Sequence, residues 1–138
     1  MNIQYTKDIT EISDGMLDGG FFIDWPNPPD NVTHLKILKG SYCSFVAVDT
    51  DINKVVGFIY AISDGILSAY IPLLEVLPEY QGKGVGKELV RLIFEELNNL
   101  YMIDICHDEE LTPYYAKFGA YPSCSSLFRN YNAQSGRL

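Results

Sequence analysis

The sequence predicts an α/β fold of the α+β kind, a mixed, mostly antiparallel sheet of six or seven strands flanked by about four helices. Three observations predict it. Three β-rich stretches, 42–48, 55–62 and 66–76, follow one another across short polar turns, as in an antiparallel meander. The apolar period then turns helical over 84–98, with Val85, Leu89, Leu92, Ile93 and Leu97 on one face and Lys87, Arg91, Glu95 and Asn98 on the other. A further β-rich run, 101–106, follows that helix. Strand, helix and strand thus form a βαβ crossover, with 101–106 expected parallel to 66–76.

The elements follow in order along the chain. Residues 2–6 suit a short first strand. Asp8 or Thr10 can cap a helix running to about Leu17, stopped by Gly19 and Gly20. An aromatic patch, Phe21, Phe22, Ile23, Asp24 and Trp25, leads into a loop enforced by Pro26, Pro28 and Pro29. Val32, Leu35 and Leu38 recur at helical spacing over 30–39, and Gly40 ends that helix. Residues 49–53 make the first turn of the meander, and Ser63, Asp64 and Gly65 make the second. Pro72 lies inside the third stretch. A proline there loses a ladder hydrogen bond, so the ladder is expected to break near it. Pro113 in the first turn and Gly119 at the end bracket a short helix over 112–118. Residues 121–131 are expected to add one or two final strands, and 132–138 to fray.

The 138 residues suit one domain, 1–138, which buries roughly two-thirds of its unfolded surface. No stretch reaches the ~20 apolar residues of a membrane span, and the first residues lack the apolar core of a signal peptide. A cytoplasmic protein with no membrane partner is expected. Three scattered cysteines argue against a disulfide framework, and Cys106 with His107 completes no zinc spacing, so no metal is expected. A net charge of −8 weighs against nucleic acid. The charge is uneven: residues 1–80 hold eleven acidic and four basic side chains, residues 81–138 seven and six. The acidic part could receive a cationic substrate or could simply confer solubility.

The run Gln81, Gly82, Lys83, Gly84, Val85, Gly86 sits between a strand-like stretch and a helix start. Glycines there let backbone N–H groups approach an anion, and the helix N-terminus adds about half a positive charge. Lys83 and Lys87 stand beside this turn and suit a phosphate, while Arg91, one turn further on, suits a solvated face balanced by glutamates. A Walker A loop is excluded because Gln81 stands where its first glycine belongs and Glu88 where its hydroxyl belongs. A dinucleotide fingerprint is one residue too short.

The spacing that does match is Gln/Arg-x-x-Gly-x-Gly/Ala, carried by Gln81, Gly84 and Gly86. With residues 73–80 before it, this run resembles the acetyl-CoA loop of the GNAT superfamily of N-acetyltransferases. The later run 108–119, with Tyr114, Tyr115, Lys117 and Gly119, resembles that family's second signature. The resemblance spans nearly the whole chain and is specific for the cofactor rather than the acceptor. It implies acetyl-CoA as co-substrate, with contacts from Leu74, Glu75, Val76, Gln81, Gly82, Lys83, Gly84, Val85, Gly86, Lys87, Asp108 and Tyr115. It implies that pantetheine lies between strands 66–76 and 101–106, where they splay apart. Tyr115 falls at the general-acid position, and a phenol, protonated at neutral pH, can give its proton to a thiolate. The Val76 N–H, or one beside it, is the expected oxyanion donor. Glu75 is the nearest carboxylate to serve as base, though ordered water can replace a dedicated base. Phe22, Asp24 and Trp25, beside Phe21, with Tyr70 on the strand, are the expected acceptor-binding residues, a set suited to an ammonium group.

The function implied is N-acetyl transfer to a primary amine of a small molecule by direct attack in a ternary complex, by a monomer or homodimer. The alternatives are a non-catalytic CoA-binding module, another acyl donor, or a peptide or protein amine. One departure is that Ala120 stands where the family's second signature ends in an aromatic residue, which leaves the packing of the last strands open.

Overall fold

Residues 1–137 are described by the computed structural model. The β-rich stretches pair as their turns demand. Strands β1 (Ile3–Thr6), β2 (Cys43–Asp49), β3 (Lys54–Ser63), β4 (Ser68–Ile71), β5 (Leu74–Val76) and β6 (Met102–Ile105) form one sheet in the order β1-β2-β3-β4-β6, with β5 also paired to β3. Every pairing is antiparallel except β4 with β6, which is parallel as the crossover requires. The turn between β3 and β4 is held by Asp64, whose Oδ1 accepts from the N–H groups of Ile66, Leu67 and Ser68, with Gly65 at φ 74°.

β2 and β3 are buried almost throughout because both faces of the sheet are covered there. On one face lies α2 (Val85–Glu96), which buries Val85, Leu89, Val90 and Ile93. On the other face lie α1 (Asn31–Gly40) and the aromatic loop before it. The Phe58 ring of β3 there meets Phe21 at 5.1 Å, Phe22 at 6.1 Å and His34 at 4.5 Å. Asp30 caps α1, its Oδ1 accepting from Thr33 N at 2.8 Å. The third helix, α3 (Thr112–Ala116), follows β6.

Three expectations change. The helix expected up to Leu17 is a pair of 3₁₀ turns, Ile9–Glu11 and Asp14–Leu17. Ile12 and Ser13 are extended between them, and Ser13, Asp14 and Gly15 are poor helix formers, so the burial of Ile9, Ile12 and Leu17 sets the chain path instead. There are accordingly three α-helices among the described residues rather than about four. The long strand 66–76 is two strands, broken at Pro72 as its missing N–H predicts. Residues 121–130 form no strand. Strand propensity describes a fit to a pleated surface, and this segment pairs with no strand of its own chain.

Candidate active site

The break at Pro72 opens the sheet. β4 runs beside β6 from Ser68 and Met102 to Ile71 and Ile105. Beyond that point β5 stays with β3, pairing Glu75 with Phe58, and no longer meets the chain that continues from β6. Leu77 donates to Val56 O at 2.9 Å, so strand alternation turns the backbone groups of Leu74 and Val76 away from β3, toward the opening. Gln81 reinforces this from the loop, its Nε2 donating to Val76 O at 2.9 Å.

The glycine turn lies at the same end of the sheet. Gly82 and Gly84 have φ of 74° and 85°, a region that favours glycine, and no protein atom lies within 4 Å of where their Cβ atoms would be. Gly84 is the N-cap of α2 and offers no capping side chain, and the first bond of the helix is Glu88 N to Gly84 O. The N–H groups ahead of Glu88 thus remain available at the positive end of the helix dipole. At Gly86 a Cβ would stand 3.3 Å from the Tyr114 hydroxyl, a tight contact with the end of a side chain, and 3.6 Å from Val76 Cγ2, an ordinary one.

The turn is anchored from behind. The Tyr80 hydroxyl donates to Asp49 Oδ2 at 2.6 Å, and Asp49 also accepts from Asn2 N and Asp51 N. These bonds, the Tyr80 one above all, lower the Asp49 pKa. Lys83 lies over the Tyr80 ring at 5.8 Å. Lys87 and Arg91 both line a cleft of about 650 Å³ with Gly84, Phe94, Tyr114, Lys117 and Phe118, but Arg91 is also bound to Glu88 and Glu95. That volume suits a small organic ligand.

Tyr115 is buried on α3, its ring stacked on His107 at 4.7 Å and edge-on to Tyr114 at 5.0 Å. Burial pushes its phenol up to about 12, which keeps it protonated. Asp108, next to His107, caps the 3₁₀ turn Glu109–Leu111 that leads into α3 without a side-chain bond.

Glu75 projects to the opposite face, as alternation requires. Both of its carboxylate oxygens accept from Phe22 N, at 2.9 and 3.0 Å. Burial raises its pKa, with the Phe22 and Ile23 N–H groups opposing. The loop it holds contains Phe22 at φ 63° and Asp24 at φ 67°, left-handed positions that stay put because Glu75 and the aromatic packing over-determine them. Phe22 is buried against Trp25 at 5.0 Å and His34 at 4.8 Å, so its ring offers no open face to a ligand. Trp25 is half-buried and Asp24 exposed. Tyr70 is partly exposed on β4, its pKa raised by burial and by contact with Cys106.

Several neighbours of these groups escaped the reading of the sequence. Asp104 is the register partner of Tyr70 across the parallel pair, so both side chains share one face. His107, which completes no zinc spacing with Cys106, stacks on the Tyr115 ring instead. Alternation within the 101–106 run marks Asp104 as facing away from Ile103 and Ile105, but its alignment with Tyr70 needs the strand register. Among the described residues no cluster of His, Cys, Asp or Glu could hold a metal ion, and no helix is long and apolar enough to cross a membrane.

This geometry meets its counterparts in known proteins. The profile of the acetyltransferase (GNAT) family matches residues 12–120. The chain belongs to the GNAT family of acetyltransferases. A Deinococcus radiodurans R1 protein described as a candidate acetyltransferase is 38% identical, with 99% of this chain and 94% of that chain covered at a TM-score of 0.94. Residues 119–132 are about a tenth of this chain, so that score leaves no room for a wholly different placement of the C-terminal segment. A GNAT-family protein from Streptococcus pneumoniae TIGR4 shares the fold at 24% identity, covering 94% of this chain and 98% of that one with a TM-score of 0.73. AAC(6′)-Iy, solved with the bisubstrate analogue CoA-S-monomethyl-acetylneamine, shares it at 16% identity, with 94% and 98% covered and a TM-score of 0.66. No curated protein matches the sequence. In this GNAT acetyltransferase the opening after Pro72 and the uncapped start of α2 lie at the same end of the sheet.

Proposed function

We propose that this acetyltransferase moves acetyl from acetyl-CoA to a primary amine of a small molecule, by direct attack in a ternary complex. The observation that carries this reading is the divergence of β5 from β6 directly beside the uncapped start of α2. The N–H groups of residues 82–87, with Lys83 and Lys87, suit the pyrophosphate. The cleft beside Lys87 and Lys117 suits the nucleotide. The Leu74 backbone groups and the Val76 N–H, turned toward the opening, suit an extended amide chain added as a strand. Acetyl-CoA supplies an activated thioester, and the chain's own residues do the rest.

The Val76 N–H stabilises the carbonyl oxygen as charge develops. Tyr115, kept protonated by burial, gives its proton to the departing sulfur as the carbon–sulfur bond breaks. The amine nitrogen, once bonded to the acetyl carbon, releases its proton through water to Glu75, whose raised pKa suits it to receive one. Asp24, Trp25 and Tyr70 face the acceptor, with Phe22 beneath them as support, and Asp104 adds a carboxylate beside Tyr70. Aromatic and acidic groups together favour an ammonium-bearing molecule. The acetyltransferase AAC(6′)-Iy, with its neamine-derived analogue, and a glucosamine-6-phosphate N-acetyltransferase from Arabidopsis thaliana share the fold, which supports a small acceptor.

The test is a panel of primary amines with acetyl-CoA, read by the release of CoA thiol. Turnover of at least one small amine is expected. Binding of acetyl-CoA without turnover of any amine would favour a non-catalytic module, and absence of binding would overturn the reading of the loop.

A further inference from the structure

Tyr60 and Tyr115 are the two buried tyrosines among the described residues. No described residue hydrogen-bonds to either hydroxyl, in contrast to Tyr80, whose hydroxyl donates to Asp49. Burial pushes both phenols up to about 12, so both stay protonated at neutral pH. Among the described residues the one polar side-chain atom both sealed and unpartnered is His34 Nε2. The Tyr60 hydroxyl is unpartnered without being sealed, so the 7% of the residue that stays accessible includes its polar tip. Tyr115 has a use for such a tip in the proposed transfer. The Tyr60 hydroxyl has none in the fold.

Strand register places Tyr60 beside the acceptor groups. Its partner on β2 is Ser44, whose hydroxyl donates to Leu38 O of α1, so Tyr60 lies on the α1 face of the sheet. Phe58 and Ile62 share that face, and the Phe58 ring stacks on Tyr60 at 6.3 Å. On the other side of β3, Ile62 pairs with Tyr70 and Phe58 with Glu75. Tyr60 therefore stands between Tyr70 and Glu75, each a diagonal neighbour at roughly 7–8 Å, within reach of an aromatic side chain. Counting from Tyr70 sets Pro72 opposite Tyr60, and counting from Glu75 sets Leu73 there. The two counts differ by one residue, as at a bulge, and this is the break after which the sheet opens. Tyr70 is near enough to raise the Tyr60 pKa further, beyond what burial does. Asp104, aligned with Tyr70, extends the row, which thus runs Glu75, Tyr60, Tyr70, Asp104 on one face.

We propose that the Tyr60 hydroxyl oxygen accepts a hydrogen bond from an N–H of the incoming amine and so turns the amine lone pair toward the acetyl carbon. The inference rests on the amine-transfer reading given above and adds a residue to it. A neutral primary amine carries two N–H groups and one lone pair. A phenol oxygen that takes one N–H leaves the lone pair free to attack, which a carboxylate placed to remove the proton does not by itself ensure. The buried ring fixes where the oxygen stands, because Phe58 and the sheet hold it. A phenylalanine in its place would fill the same space and leave no hydroxyl unpaired, so the hydroxyl contributes to binding rather than to folding.

The test compares the wild type with Tyr60→Phe on a primary amine that the wild type acetylates. The variant is expected to raise the acceptor KM about 5- to 10-fold, with kcat within about twofold, as loss of one hydrogen bond made in both ground and transition states implies. Its melting temperature should equal or exceed that of the wild type, and its CoA dissociation constant should not move. An unchanged acceptor KM in the folded variant overturns the inference while leaving amine transfer intact. So does a KM that rises only together with a fall in melting temperature, which marks a packing role. Should the variant fail to fold, 3-fluorotyrosine placed at position 60 reads the contact, since its fluorine resonance must move when the amine is added with CoA, and an unmoved resonance overturns it. A wild type that acetylates no amine in the panel removes the transfer reading itself, and this inference with it.

Discussion

The proposed donor and acceptor halves of the site are built from different materials. The donor half is backbone: two left-handed glycines, the first turn of α2, and strand β5, all fastened to the core by Asp49, Tyr80 and Gln81. The proposed acceptor half is side chains on a strained loop and a partly exposed strand face, with the Glu75 carboxylate as its main fastening to the sheet. A backbone cradle reads a shape common to every CoA thioester and constrains few side chains. A wall of side chains can change with each acceptor without disturbing the fold.

The sharpest way to break this comparison is at its junction, Tyr115. Tyr115→Phe is expected to lower kcat by about 100-fold or more while leaving the CoA dissociation constant within error, because a phenol used only in proton transfer contributes to the transition state alone. Unchanged turnover would remove Tyr115 as the acid. Next is His34, which lies under the acceptor loop with its Nε2 sealed and unpartnered. Burial lowers its pKa from 6.5 to about 4. The unfolded chain therefore binds more protons between those values, and the stability present above pH 6.5 is lost as pH falls toward 4. The full loss from this group is about 3 kcal/mol, from the shift at 1.36 kcal/mol per unit. The urea midpoint of the wild type should fall relative to that of His34→Leu as pH falls across that window, and parallel curves would assign the acid sensitivity elsewhere.

Gly84→Ala tests the donor cradle. Forcing a Cβ into a left-handed residue is disfavoured by about 1–2 kcal/mol, so roughly tenfold weaker CoA binding is expected by calorimetry, with the acceptor KM unmoved. Glu75→Gln separates two roles. A carboxylate that receives the amine proton leaves its own limb in the kcat–pH profile, and that limb disappears in the variant. An unchanged profile with a lower melting temperature would restrict Glu75 to holding Phe22. The smallest effect contrasts two cations on α2. Lys87→Ala should raise the CoA KM several-fold, as loss of one charge-assisted contact implies, while Arg91→Ala should leave it within about twofold because Arg91 is already satisfied by Glu88 and Glu95.

The strands, the crossover and the glycine turn were legible because each rests on local rules: alternation, helical period, and residues that tolerate unusual backbone angles. The break at Pro72 was legible for the same reason, since a missing N–H is a property of one residue. The 3₁₀ turns of residues 9–17 were not, because Ile9, Ile12 and Leu17 are placed by burial against the sheet rather than by a helical ladder. Residues 121–131 read as strand in isolation, but a strand exists only where a second edge pairs with it. Phe22 reads as a ligand-facing aromatic, and its burial beside His34 depends on a loop closed by Glu75 more than fifty residues away.

What the sequence determined by itself is the local build of the proposed grip on the thioester: spacing places three glycines, a strand end and a helix start within a few residues, and local geometry does the rest. What only the tertiary structure decided is everything that joins distant segments. The alignment of Tyr70 with Asp104, the stacking of His107 on Tyr115, the strut from Glu75 to Phe22 and the open edge of β6 all follow from strand register and packing. Such contacts are set by which surfaces minimise exposed apolar area and unpaired backbone together, and no window of neighbouring residues contains that information.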